Sequence, residues 1–77
     1  MNKDGKGGNN LDTVKVVELV GESTESWEQA IENAVHEASK TIDNIAGVEV
    51  YNMTADVDNG RLVEYKANVK VAFGIKK

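Results

Sequence analysis

Residues Arg61–Ile75 read RLVEYKANVKVAFGI. Val63, Tyr65, Ala67, Val69, Val71, Phe73 and Ile75 share one parity, and Glu64, Lys66, Asn68 and Lys70 take the other. Such sustained alternation predicts a long strand with one face on a core and one polar face. Fifteen residues extend about 50 Å at ~3.3 Å each. Immediately upstream, Asp58-Asn59-Gly60 predicts a tight hairpin turn, because Asn-Gly readily takes positive φ angles. The hairpin's other arm is Gly47–Val57, GVEVYNMTADV. Val48 and Val50 share one parity, while Tyr51, Met53, Ala55 and Val57 take the opposite one. A phase switch inside a strand predicts a β-bulge.

Further upstream the period changes. Trp27, Ala30, Ile31, Ala34, Val35, Ala38, Ile42 and Ile45 are spaced by threes, ones and a four, with Glu28, Glu32, Asn33, Glu37 and Lys40 off the stripe. This predicts an amphipathic helix from about Thr24 to Asn44, capped by Ser23 and ended by Ala46-Gly47. Its alanines allow a sheet to pack close. Before it, Thr13–Val20 (TVKVVELV) is rich in β-branched residues and reads as a strand that Gly21 breaks. Val17 and Leu19 lie on one face with Lys15; Val14, Val16 and Val20 lie on the other with Glu18. Apolar residues on both faces predict a strand covered on both sides. Residues 1–10 carry three glycines and no large apolar residue after Met1, and read as a flexible tail. Residues 11–77 form the domain.

The expected class is α+β, in the order β-α-β-β, with a three-stranded antiparallel sheet wrapped around one helix. A sheet longer than its helix leaves an overhang that must curl or be covered. A chain of 77 residues is marginal as a lone fold, so a homo-oligomer is expected.

Composition excludes several functions. There is no cysteine and one histidine, which removes disulfides, Cys-based metal centres and a His-pair metal site. Thirteen acidic residues against nine basic ones give a net charge of −4, with no basic stripe for nucleic acid. No apolar run is long enough to span a membrane, which takes about 18 residues or more. Missing cysteines and the lack of an export signal fit a cytoplasmic protein. No nucleophile–base pair stands out, so an enzyme is not expected.

Taken together, VKVVELVGESTESWEQAIENAVHEASKTIDNIAGVEV, the hairpin, and VEYKANVKVAF resemble the dodecin family. The motifs are V-E-L-V-G-x-S from Val17, T-I-D-N-I from Thr41, V-E-V from Val48, and E-Y-x-x-x-V-x-V-A-F from Glu64. The resemblance covers roughly Val14–Phe73. It implies a β-α-β-β protomer, a hollow homododecamer, and non-enzymatic binding or sequestration of flavins such as riboflavin, FMN or FAD. It also implies four pocket positions. Gly47 stands where flavin-binding members carry a ring-stacking tryptophan, and glycine has no π face. Lys66 stands where they carry a glutamine, and lysine offers donors only. Thr54 and Gly74 stand where bacterial members carry arginines. The SWEQA helix start and the longer hairpin resemble a subgroup described as calcium-associated. The alternative function is therefore a shell stabilised by divalent cations, without an organic ligand.

Asp56, Asp58, Glu49 and Glu64 are the candidate calcium ligands. An EF-hand is rejected, because counting from Asp56 puts glycine fifth and Ala67 twelfth. Lys66 and Lys70 read either as a solvated face with cross-strand ion pairs or as holders of an anionic ligand. Trp27 reads as a core or interface anchor. Tyr51 and Tyr65 read as cross-strand packing, and His36 as a helix-edge residue.

Overall fold

The computed structural model describes residues 11–76. The expected tail, residues 1–10, lies outside the described residues. Four elements follow in order: β1 (Leu11–Ser23), α1 (Trp27–Ser39), β2 (Ile45–Asp58) and β3 (Arg61–Lys76). The sheet order is β1-β3-β2, and both pairings are antiparallel. The long alternating strand is thus central, and both other strands are edges.

The turn at the hairpin tip has Asn59 at φ 57° and Gly60 at φ 76°, with Asp58 opposite Arg61. Two consecutive positive φ values match the twist of the flanking strands, as Asn-Gly predicts. The phase switch in β2 is a real irregularity: the register slips between Val50 and Asn52, leaving Tyr51 unpaired. Two further slips lie at Ile45/Gly47 and Asp56/Val57.

The helix differs from expectation at both ends. It starts at Trp27 and is capped by Ser26, whose extended backbone (φ −169°) lets its Oγ accept the Gln29 amide at 3.0 Å. Ser23 belongs to β1, is buried, and accepts the Glu25 amide on its Oγ at 2.8 Å. It therefore stabilises the strand-to-helix turn and not the helix itself. The helix ends at Ser39, five residues short of Asn44. Asn44 takes φ 65° and its carbonyl accepts the Gly74 amide at 3.0 Å, so Ile45 already belongs to the sheet. Gly21 does not break β1. It pairs with Ala67 inside the ladder, and its missing side chain admits the backbone of Ala30.

The core is small and tight. Ala30, Ala34 and Ala38 from α1 meet Ala67, Val69 and Val71 from β3, with Val17, Leu19, Ile31, Val35, Ile42, Ile45 and Val50 around them. Ala67, Val69 and Val71 have no exposed surface. Alanine on the helix is what lets it lie close to the central strand. Thirteen residues make the helix about 20 Å long at 1.5 Å per residue. The protomer is 55 Å in its longest dimension. The sheet therefore overhangs its helix, and Met53, Val57, Leu62 and Val63 stay exposed near the hairpin.

Candidate functional site

The helix covers one side of the sheet, and the other side is bare. Residues paired directly across an antiparallel ladder point to the same face, so the register defines what the bare side carries. From β1 come Val14, Val16, Glu18, Val20 and Glu22, opposite Gly74, Ala72, Lys70, Asn68 and Lys66 of β3. From β2 come Gly47, Glu49, Asn52, Thr54 and Asp56, opposite Ala72, Lys70, Asn68, Lys66 and Glu64. We call this side the open face. Val14, Val16 and Val20 are 59%, 52% and 56% exposed there.

Seven of the eight sequence-predicted site residues share this face: Gly47, Thr54, Lys66, Gly74, Glu49, Asp56 and Glu64. Asp58 does not join them. It lies at the hairpin tip opposite Arg61. Lys66 Nζ lies 3.4 Å from Asp56 Oδ2, with Glu22 and Thr54 as its cross-strand neighbours. Lys70 sits between Glu18 and Glu49. Both open-face lysines thus already have carboxylates beside them, which weakens any pull on an anionic ligand.

Asp56 and Glu64 are direct cross-strand partners, whereas Glu49 is paired further along with Lys70. Among the described residues, no group of three His, Asp or Glu side chains is placed to hold a metal within one protomer. The Glu64 carboxyl is nonetheless perturbed. A hydrogen bond with Glu22 raises its pKa above the ordinary glutamate range, and the charges of Glu22 and Asp56 add to this while Lys66 opposes it. The folded chain therefore holds this proton more firmly than the unfolded one. The contribution to stability is full below the ordinary glutamate pKa and is lost as pH rises through the raised value. Glu22→Gln is expected to bring Glu64 back toward the ordinary range and to flatten that part of the pH–stability curve. Carboxyl carbon shifts followed by NMR across the acid range would check this; an unmoved Glu64 titration would contradict it.

Of the four positions at which the resemblance implies a flavin pocket, Gly47 and Lys66 lack the groups that the resemblance assigns there. Around Gly47, a side-chain β-carbon would meet nothing within 4 Å. Space is available there, but no ring supplies a stacking face. Lys66 cannot reproduce an amide's donor and acceptor and is engaged by Asp56.

The aromatic residues are placed as follows. Trp27 donates its indole N–H to the Thr54 carbonyl at 2.8 Å and meets Tyr65 edge-on, 4.9 Å between centroids and 74° between planes. It anchors the first turn of the helix to the hairpin, on the side away from the open face. Tyr51 is different. Its hydroxyl donates to Glu18 Oε1 at 3.3 Å, which carries the ring across β3 on the open face, with Lys70 Nζ 5.2 Å from the ring centroid. Beside it, Asn68 Nδ2 donates to Asn52 Oδ1. Counted back from Met53 and Ala55, alternation would send Tyr51 toward the helix side; counted forward from Val50, it reaches the open face, where the structure has it. His36 is exposed in the last helical turn, as expected.

This architecture has known counterparts. Residues 13–76 match the sequence profile of the dodecins. The chain belongs to the dodecin family. A curated relative, the calcium dodecin of Mycobacterium tuberculosis, is 30% identical over 66 residues, spanning 86% of this chain and 93% of that protein. The dodecin of Streptomyces davaonensis superposes with a TM-score of 0.80 at 30% identity, covering 90% of this chain and all of that one. The solved M. tuberculosis calcium dodecin, a calcium-chelating antigen with a novel calcium-binding site, superposes with a TM-score of 0.73 at 31% identity, covering 84% and 93% of the two chains. The β-α-β-β arrangement is the dodecin fold. The role of this dodecin chain is non-enzymatic. Among the described residues, no helix is long and apolar enough to cross a membrane.

Proposed function

We propose that this dodecin assembles into a closed homododecamer and stores or sequesters a small ligand on its open face, between copies. One observation carries the reading. Gly47, Thr54, Lys66 and Gly74 lie on a single sheet face that also exposes Val14, Val16 and Val20. Water around three valines costs free energy that a second copy or a ligand would recover, at about 25 cal/mol per Å² covered. The overhanging Met53, Val57, Leu62 and Val63 call for the same cover from a neighbouring chain. Flavin is the ligand that family resemblance suggests, and it is disfavoured at these four positions by Gly47 and Lys66.

A second reading is supported by the carboxylates. Asp56, Glu64 and Glu22 crowd one end of the open face, and Glu64 retains its proton more firmly than usual. In a symmetric assembly, carboxylates of adjacent copies would converge, and a divalent cation such as calcium would replace the proton. Glu49 and Asp58 would contribute from other copies. The calcium dodecin of M. tuberculosis supports this reading by kinship.

Native mass spectrometry of the purified protein, with and without chelator, tests both. A species of twelve 8.4 kDa chains is expected. Regular excess mass of an organic molecule supports the first reading. Calcium-sized increments, with loosening by chelator, support the second. A mass of one or two chains would overturn the assembly and both readings with it.

A further inference from the structure

We propose that the hairpin tip is a self-modification site: the Gly60 main-chain amide attacks the Asn59 side chain, ammonia leaves, and an aspartyl or isoaspartyl residue takes the place of Asn59. This chemistry needs only the turn and water, and no ligand.

Three features single out this bond. Pairing of β2 with β3 stops at Asp58 and Arg61, so Asn59 and Gly60 lie beyond the last rung of the ladder. Nothing crowds the attacking residue: a β-carbon built on Gly60 would meet nothing within 4 Å, and both tip residues are exposed. Water and hydroxide therefore reach the Gly60 nitrogen. Ring closure also needs the Asn59 main chain to rotate. A glycine on the attacking side puts no side chain in the way of that rotation, and loop tips open at little free-energy cost.

The other described asparagines lack this combination. Asn33 Oδ1 accepts from Gln29 Nε2, and its Nδ2 donates to the Glu22 carbonyl. The Asn52 and Asn68 amides hold each other within the sheet. Asn44 precedes Ile45, which packs against the core. Asn59-Gly60 is the single Asn-Gly pair in the sequence.

The step balances with water alone. Hydroxide takes the Gly60 amide proton, and the nitrogen forms a bond to Asn59 Cγ. The Cγ–Nδ2 bond breaks, and Nδ2 leaves as ammonia after water returns the proton. The resulting cyclic imide then adds one water. Opening at Cγ gives an aspartyl residue; opening at the main-chain carbonyl gives an isoaspartyl residue, with one more methylene in the backbone. Nothing is oxidised or reduced. A two-residue loop sets the hairpin register, so a lengthened tip loses the Asp58–Arg61 rung. The new carboxylate also stands next to Asp58, where like charges repel.

Incubation of the purified protein at pH 7 and at pH 9, followed by trypsin digestion, tests this. One fragment, Thr41–Arg61, holds Asn44, Asn52 and Asn59, so fragmentation mass spectrometry compares all three within one peptide. Asn59 is expected to gain one mass unit at least about tenfold faster than the other two, the scale that separates opening a tip from opening a strand. The gain should be faster at pH 9, because the amide must lose its proton. Asn59→Gly keeps the positive φ and removes the side-chain amide. Its urea midpoint is expected to hold through the incubation while that of the wild type falls. Equal gain at all three asparagines would overturn the proposal. So would an unmodified Asn59 after an interval that converts the free Thr41–Arg61 peptide. A wild-type midpoint that stays put despite full conversion would overturn the effect on the hairpin and leave the modification standing.

Discussion

Gly21→Ala is expected to unfold most of the population or to lower its stability by about 3 kcal/mol, the upper range for overpacking. The added Cβ would enter the van der Waals shell of the Ala30 carbonyl oxygen, and would lie 2.8 Å from the Ala30 carbonyl carbon and 3.0 Å from Ala34 Cβ. None of these is the movable end of a long side chain. Relief requires the helix to lift from β1 and β3, which would pull Ala30, Ala34 and Ala38 off Ala67, Val69 and Val71. A domain of this size has a net stability of roughly 5 kcal/mol, so most of it would be gone. Urea unfolding followed by circular dichroism, at one fixed protein concentration because assembly adds to stability, gives the number. An unchanged midpoint would show that the helix is free to shift, and would refute the close-approach role of Gly21.

Trp27→Ala is expected to cost about 2–3 kcal/mol, less than the 3–5 of a fully buried aromatic, because Trp27 is only half-buried. Two interactions go at once. One is the edge-on packing with Tyr65; the other is the indole N–H on the Thr54 carbonyl. That carbonyl lies on an edge strand, so water can replace the lost donor and the hydrogen bond itself is worth about 1 kcal/mol. Trp27→Phe should accordingly fall between wild type and Trp27→Ala in thermal midpoint. If the two variants melt together, the ring contact with Tyr65 contributes nothing and the helix is held at its start by the hydrogen bond alone.

Much of this fold was legible from the residues because its signals are local. Alternation along Arg61–Ile75, the Asn59-Gly60 turn and the parity switch at Tyr51 each depend on neighbours in sequence, and each appears in the structure. The helix ends are ambiguous in the sequence because two local signals compete there. Ser23 and Ser26 are both good caps, and only the extension of β1 to Ser23 decides between them. Ile42 and Ile45 continue the helical spacing, yet they reach the core from the connecting turn and from β2. In the sequence Gly21 has the look of a strand breaker, because a glycine's tertiary role, admitting the backbone of a helix, leaves no mark in its flanking residues.

The site was legible only in part. Parity alone places Glu64 and Lys66 on the side opposite Val69 and Val71. Once register slips intervene in β2, parity counted from one end no longer assigns faces at the other, and Tyr51 follows the count from Val50 and not the one from Met53 and Ala55. Pairing between β1 and β3 likewise decides that Glu22 lies near Glu64, a proximity hidden by the sequence distance between them.

The central position of β3 has a consequence for how the chain is made. It is the last element in order, yet β1 pairs only with it, joining Thr13 to Ile75 and Ser23 to Tyr65. During synthesis β1 emerges first and waits without a hydrogen-bonding partner until nearly everything after it has left the ribosome. The hairpin of β2 and β3 is local and can close early, whereas docking of β1 must close a loop of most of the chain, which makes it the slow step. Through that interval Val14, Val16 and Val20 sit on an unpaired strand edge, and nascent chains on crowded ribosomes would be most exposed to mispairing there.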